Sequence, residues 1–131
     1  MTTQETIEAY FHALGNGKGW EALLADDLKF TSFTSPVKTI AGKEAFLEGT
    51  KRFYSAVNKV ELRDLIVAGD RACALTSYEL RGPEGCTFSS DVAEIFSARH
   101  GKITSFGIYF DTAPYPARQP GAERSTAATG S

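Results

Sequence analysis

The run from Val60 to Asp111, VELRDLIVAGDRACALTSYELRGPEGCTFSSDVAEIFSARHGKITSFGIYFD, decides the fold. It divides into four extended segments, residues 60–68, 72–81, 87–98 and 103–111, rich in β-branched and aromatic side chains. Gly69-Asp70-Arg71, Gly82-Pro83-Glu84-Gly85 and Arg99-His100-Gly101-Lys102 separate them and read as hairpin-type turns. Connections this short join antiparallel neighbours, because parallel strands need a crossover of roughly a dozen residues or more. A strand meander is expected here.

Towards the N-terminus the period changes. Residues 3–14 place Ile7, Tyr10, Phe11 and Leu14 on one helical face, and Gly15-Asn16-Gly17 ends that helix. A short second helix is expected over 18–24, with Trp20, Leu23 and Leu24 turned inward, and a strand over 28–34, broken by Ser35-Pro36. Ile40-Ala41-Gly42-Lys43 leads into a third helix over about 43–57, with Phe46, Leu47, Phe53 and Tyr54 as its apolar stripe. Helices first and a meander afterwards give an α+β domain with three N-terminal helices packed on a curved antiparallel or mixed sheet.

With 131 residues the chain fits one domain, expected over 1–116. From about 117 onward apolar groups are too few to offset ordering entropy, so a disordered tail is expected over 117–131. Pro114-Tyr115-Pro116 could still pack back on the domain. A net charge of −2 argues against nucleic-acid binding, which needs a basic stripe to displace phosphate counterions. No apolar run approaches a membrane span and the N-terminus lacks the pattern of a secretory signal, so the default location is cytoplasmic. Cys73 and Cys86 read as reduced thiols filling small core positions, and neither they nor His12 and His100 sit at ligand spacing. No metal and no cofactor are expected.

Three groups of strings, in order, are similar to a known family: Tyr10-Phe11-His12-Ala13-Leu14 with Leu23-Leu24-Ala25-Asp26-Asp27; Ile40-Ala41-Gly42-Lys43-Glu44-Ala45-Phe46; and Gly101-Lys102-Ile103 with Tyr109-Phe110-Asp111. Over roughly residues 4–116 the chain resembles the NTF2-like superfamily, which includes the SnoaL-like proteins, ketosteroid isomerase and limonene epoxide hydrolase. The resemblance implies a cone in which the sheet curls around the helices and leaves a cavity open at one end. It also implies a homodimer formed through the outer sheet face.

Strand alternation then assigns the lining. Phe30, Ser32 and Thr34 form one inward row, Ser90, Val92, Glu94 and Phe96 another, and Phe106, Ile108 and Phe110 a third. With Glu79 taken as inward, Cys73, Leu75 and Ser77 share its face, and Ala74, Thr76 and Tyr78 fall outside. Phe11, Leu14 and Phe53 complete the lining from the helices. The outer row is apolar enough to imply a covered sheet.

Glu94, between Val92 and Phe96, stands in a setting that disfavours its charged form. By resemblance it falls close to the protonated acid of the isomerase's oxyanion hole, and Tyr10 resembles that site's tyrosine. Ser32 stands where the isomerase has its proton-shuttling aspartate, and a lone serine is no base near neutral pH. Glu79 resembles the first aspartate of the epoxide hydrolase's water-activating set. Ser77, Ile108 and Ser32, however, stand where that set has its arginine, second aspartate and asparagine. Both named activities therefore lack working groups.

Two readings remain. One is a cofactor-independent acid–base enzyme acting on a small apolar carbonyl compound through Tyr10, Glu79 and Glu94. The other is a non-catalytic ligand-binding or dimerisation module.

Overall fold

The computed structural model describes residues 1–34 and 36–115. Helix α1 spans Thr3–Gly15 and begins with a reciprocal cap. The Glu5 backbone N–H donates to Thr2 Oγ1 (3.1 Å), and the Thr2 N–H donates to the Glu5 carboxylate (2.8 Å). Its buried stripe is the expected one: Ile7, Tyr10, Phe11 and Leu14, joined by Thr6.

The expected second helix does not form. Gly17 and Gly19 both adopt positive φ, and Leu24 already pairs with the far strand, so only a single 3-10 turn, Trp20–Leu23, fits between them. Among the described residues there are therefore two α-helices rather than three. Strand β1, Leu24–Ser32, starts four residues before expectation, and a register shift between Leu24 and Lys29 lets Asp26 and Asp27 stay exposed within it. A short strand β2, Lys38–Ala41, pairs antiparallel with β1. It precedes α2, Lys43–Ser55, which the chain enters through Gly42 at φ +98°.

The four-strand meander is present as β3 Val57–Ala68, β4 Arg71–Arg81, β5 Thr87–Arg99 and β6 Lys102–Phe110. The sheet order is β2-β1-β6-β5-β4-β3. Only the β1–β6 pairing is parallel, where the N-terminal strand returns beside the last one. The sheet is therefore mixed, and α1 and α2 lie on the same face of it, α1 over β3 to β6 and α2 over β1 and β2.

Between sheet and helices lies an aromatic core. Phe96 meets Tyr10, Phe11 and Phe106 edge-on, and Phe46 meets Phe30 and Phe106 at 5.0 and 5.6 Å. On the opposite face Phe33 stacks flat on Tyr109, centroids 4.7 Å apart. Gly107 makes room for this, since a Cβ there would lie 2.6 Å from the Phe33 ring. Neither cysteine is in the core: Cys86 is exposed and Cys73 is half-buried on the outer face. Among the described residues no helix is long and apolar enough to cross a membrane. The expected tail over 117–131 lies outside the described residues.

Candidate functional site

Register settles which side chains meet under the helices. β4 pairs with β5 so that Ala74 faces Glu94, Thr76 faces Val92 and Tyr78 faces Ser90. Residues directly opposite share a face, and Ala72, Ala74, Thr76, Tyr78 and Leu80 are all buried. The β4 row is therefore the reverse of the expectation. Tyr78 and Thr76 point inward, while Glu79, Ser77, Leu75 and Cys73 point out. Glu79 sits opposite Lys59 and accepts a hydrogen bond from Asn58 (3.3 Å); Ser77 sits between Glu61 and Asp91. Neither belongs to the cavity.

The cavity has a volume of about 210 Å³. Strands β1, β5 and β6 contribute Phe30, Ser32, Val92, Glu94, Phe106, Ile108 and Phe110, as the alternation predicts. Helix α2 supplies Phe53, with Tyr54, Gly49 and Thr50 beside it; Tyr78 and Tyr115 close the remaining wall. Phe11, Leu14 and Phe96 are packed in the core instead. Ser90 is buried beneath Tyr115, whose hydroxyl donates to its Oγ at 2.8 Å. Tyr10 stands one layer behind the cavity, its hydroxyl 3.3 Å from that of Tyr54. The direct donor pair expected of Tyr10 and Glu94 is thus replaced by a relay position, with Tyr54 on the cavity side.

Glu94 is 1% exposed. Its Oε2 accepts from the Tyr78 hydroxyl (2.7 Å) and the Thr76 hydroxyl (2.6 Å). Thr76 Oγ1 also lies 3.2 Å from the Val92 carbonyl, so its one proton has two acceptors and can follow the charge of Glu94. Oε1 has no partner among the described residues. Burial pushes the Glu94 carboxyl up to about 7, against the two hydroxyl hydrogen bonds, which pull it down. Burial foremost, with the Glu94 charge adding to it, raises Tyr10, Tyr54 and Tyr78, so all three stay protonated at neutral pH. The site is therefore one carboxyl that changes charge near neutrality, set among phenols that do not. Protonated at Oε1 it becomes a donor while keeping both Oε2 bonds. Ionised, the same oxygen accepts a proton.

A larger hollow of about 570 Å³ lies at the outer face, among Arg63, Leu75, Asp91 and Tyr109. It is shallow, and none of its titratable groups is buried. Convergent buried polar groups mark the inner cavity as the candidate site.

The match to known proteins agrees with this architecture. Residues 7–106 match the SnoaL-like domain. The chain belongs to the SnoaL-like family. Solved structures sharing its NTF2-like fold include a protein of ketosteroid isomerase-like fold from Catenulispora acidiphila, in complex with trimethylamine. It is 20% identical, with 84% of this chain and 88% of that one covered and a TM-score of 0.69. TerC, co-crystallised with polyporic acid, is 21% identical over 85% and 92% of the two chains, TM-score 0.70. A protein from Jannaschia sp. CCS1, provisionally described as a SnoaL-like polyketide cyclase, is 14% identical over 85% and 86%, TM-score 0.72. At such identities the likeness is one of fold. No curated protein matches the chain. What distinguishes this SnoaL-like domain must be sought in its own lining.

Three of the residues that build the site escape sequence reasoning. Tyr54 is visible as part of the α2 stripe but carries no mark of its hydroxyl's role. Tyr78 and Thr76 are assigned to the wrong face. The signal that corrects them is the register across the β4–β5 hairpin, counted from Arg81 opposite Thr87.

Proposed function

We propose that this chain binds a small, mostly apolar carbonyl compound in the inner cavity, with Glu94 as its acid–base group. The observation that carries the reading is the asymmetry of the Glu94 carboxyl. One oxygen is held by Tyr78 and Thr76, and the other has no partner among the described residues, on a side chain that lines the cavity. Neutral Glu94 donates from Oε1 to the carbonyl oxygen. Ionised Glu94 takes a proton from the carbon beside that carbonyl and returns it elsewhere on the same molecule, while Tyr54, backed by Tyr10, offers a hydroxyl to the enolate oxygen. This is cofactor-independent isomerase- or cyclase-type chemistry, and Glu79 takes no part in it.

Size bounds the compound. A cavity of about 150 Å³ holds benzene, so about 210 Å³ holds a substituted single ring. TerC, co-crystallised with polyporic acid, and the relative described as a polyketide cyclase are in keeping with a small organic ligand.

The test is a titration with acetophenone, followed by NMR at pH 6 and pH 8. Binding should be up to about tenfold tighter at pH 6, where neutral Glu94 is the main form. The difference should vanish in Glu94→Gln. Equal affinity at the two pH values in the wild type would count against Glu94 as the carbonyl partner.

A second reading concerns assembly. Phe33, Leu75 and Tyr109 are 41%, 40% and 49% exposed on the same outer sheet face, an apolar patch of the kind that a partner covers. We infer that a second copy of this chain pairs there, leaving the inner cavity of each copy free.

A further inference from the structure

β6 ends firmly at Phe110. Thr34, in the loop after β1, donates its hydroxyl to the Phe110 carbonyl (3.2 Å) and accepts from the Phe110 N–H (3.1 Å). Beyond it, Asp111 to Pro114 are exposed, and their hydrogen bonds stay local: Ala113 N–H to Asp111 Oδ1 (3.0 Å) and Tyr115 N–H to the Thr112 carbonyl (3.1 Å). Among the described residues this turn is fastened to the domain by the Tyr115 side chain. The ring lies edge-on to Phe88 and Phe110, at 5.1 and 5.3 Å, and the hydroxyl reaches Ser90.

Ser90 is fully buried, and its own hydroxyl proton has no acceptor among the described residues. Glu94 Oε1, in the same β5 row, likewise has no partner among the described residues. The two are four residues apart, about 13 Å along a strand, with Val92 of the cavity wall between them. Tyr115 thus sits as a phenol in the outer end of a slot whose inner end is Glu94. The chain itself shows what the outer end accepts: an aromatic ring between Phe88 and Phe110, with a hydroxyl on Ser90.

We propose that Tyr115 is a displaceable plug that sets ligand length, and that the ligand entering on its release is an elongated aryl ketone with a phenol at its far end. The carbonyl lies at Glu94 and the phenol takes the place of Tyr115 on Ser90. This rests on the carbonyl-pocket reading above. With the plug in place only a single-ring ketone fits, and with it out the slot runs the length of the row.

The full chain is titrated with acetophenone, with 4-acetyl-4′-hydroxybiphenyl, and with 4-acetylbiphenyl, which lacks the hydroxyl. Relative to its effect on acetophenone, Tyr115→Ala should tighten the hydroxybiphenyl by about tenfold, the burial of one ring no longer opposing entry. Tyr115→Phe keeps the ring but not its bond to Ser90, and should tighten the hydroxybiphenyl by about threefold. Adding Ser90→Ala to Tyr115→Ala should weaken the hydroxybiphenyl by about fivefold and leave 4-acetylbiphenyl unchanged. Acetophenone binding with no effect of Tyr115 on the long probes overturns the plug and leaves the pocket standing. Equal tightening of all three probes overturns it as well. Failure of every ketone to bind every variant removes the pocket reading, and the plug with it.

Discussion

The Tyr78 hydroxyl lies 2.7 Å from Oε2 of Glu94, reaching across from the neighbouring strand. Through this contact β4 influences the charge of a carboxyl on β5. Replacing Tyr78 by Phe removes a donor that favours the ionised form, so the Glu94 midpoint should rise above its value near 7. A pH-resolved carbon-13 NMR titration of the Glu94 carboxyl measures it directly. An unchanged midpoint would show that the hydrogen bond carries no weight in that balance.

Stability should depend on pH through the same carboxyl. The folded-state pKa, near 7, is above the ordinary 4.5, so between those values the folded chain holds more protons than the unfolded one. Stability from this group is complete below about pH 4.5, falls as pH rises through 7, and levels off above it. The total is on the order of 3 kcal/mol. Urea unfolding of wild type and Glu94→Gln across pH 5 to 8 should show the downward slope in the former and its loss in the latter.

Tyr10 and Tyr54 should separate packing from ligand contact. Tyr10 is fully buried among Phe11, Trp20, Phe96 and Phe106. Tyr10→Ala should therefore cost about 3–5 kcal/mol of stability, and Tyr10→Phe about 1 or less. Tyr54→Phe removes the hydroxyl on the cavity side and should weaken acetophenone binding more than Tyr10→Phe does. If the two Phe variants bind alike, Tyr54 has no privileged position.

The outer face makes a prediction independent of the cavity. If two copies meet there, Leu75→Lys and Tyr109→Lys each place a charge in the contact and should shift sedimentation from dimer to monomer. Acetophenone affinity should stay within about twofold, since both side chains point away from the cavity. A wild type that sediments as a monomer at high concentration would end this reading.

Much of this arrangement is legible in the sequence, with informative failures. The β5 and β6 rows read correctly because Val92, Phe96, Phe106 and Phe110 leave no doubt about the apolar side. In β4 both candidate rows are mixed: Cys73, Leu75, Ser77 and Glu79 against Ala74, Thr76 and Tyr78. Hydrophobicity alone does not choose between them, and a one-residue slip reverses every side chain. The hairpin register chooses, and it depends on the Pro83–Gly85 turn, whose geometry includes Glu84 at φ +58°. β2 is too short and too exposed to carry a periodic signal. The expected second helix fails for want of length between its glycines and Leu24.

Gly107 is buried on the sheet and admits the Phe33 ring only because it lacks a side chain. Its neighbours along β6, Phe106 and Ile108, face the cavity. Gly107→Ala would push Phe33 off Tyr109 and redraw the outer surface, while both cavity neighbours keep their places. The proposed pairing face and the proposed cavity thus occupy alternate letters of the same strand.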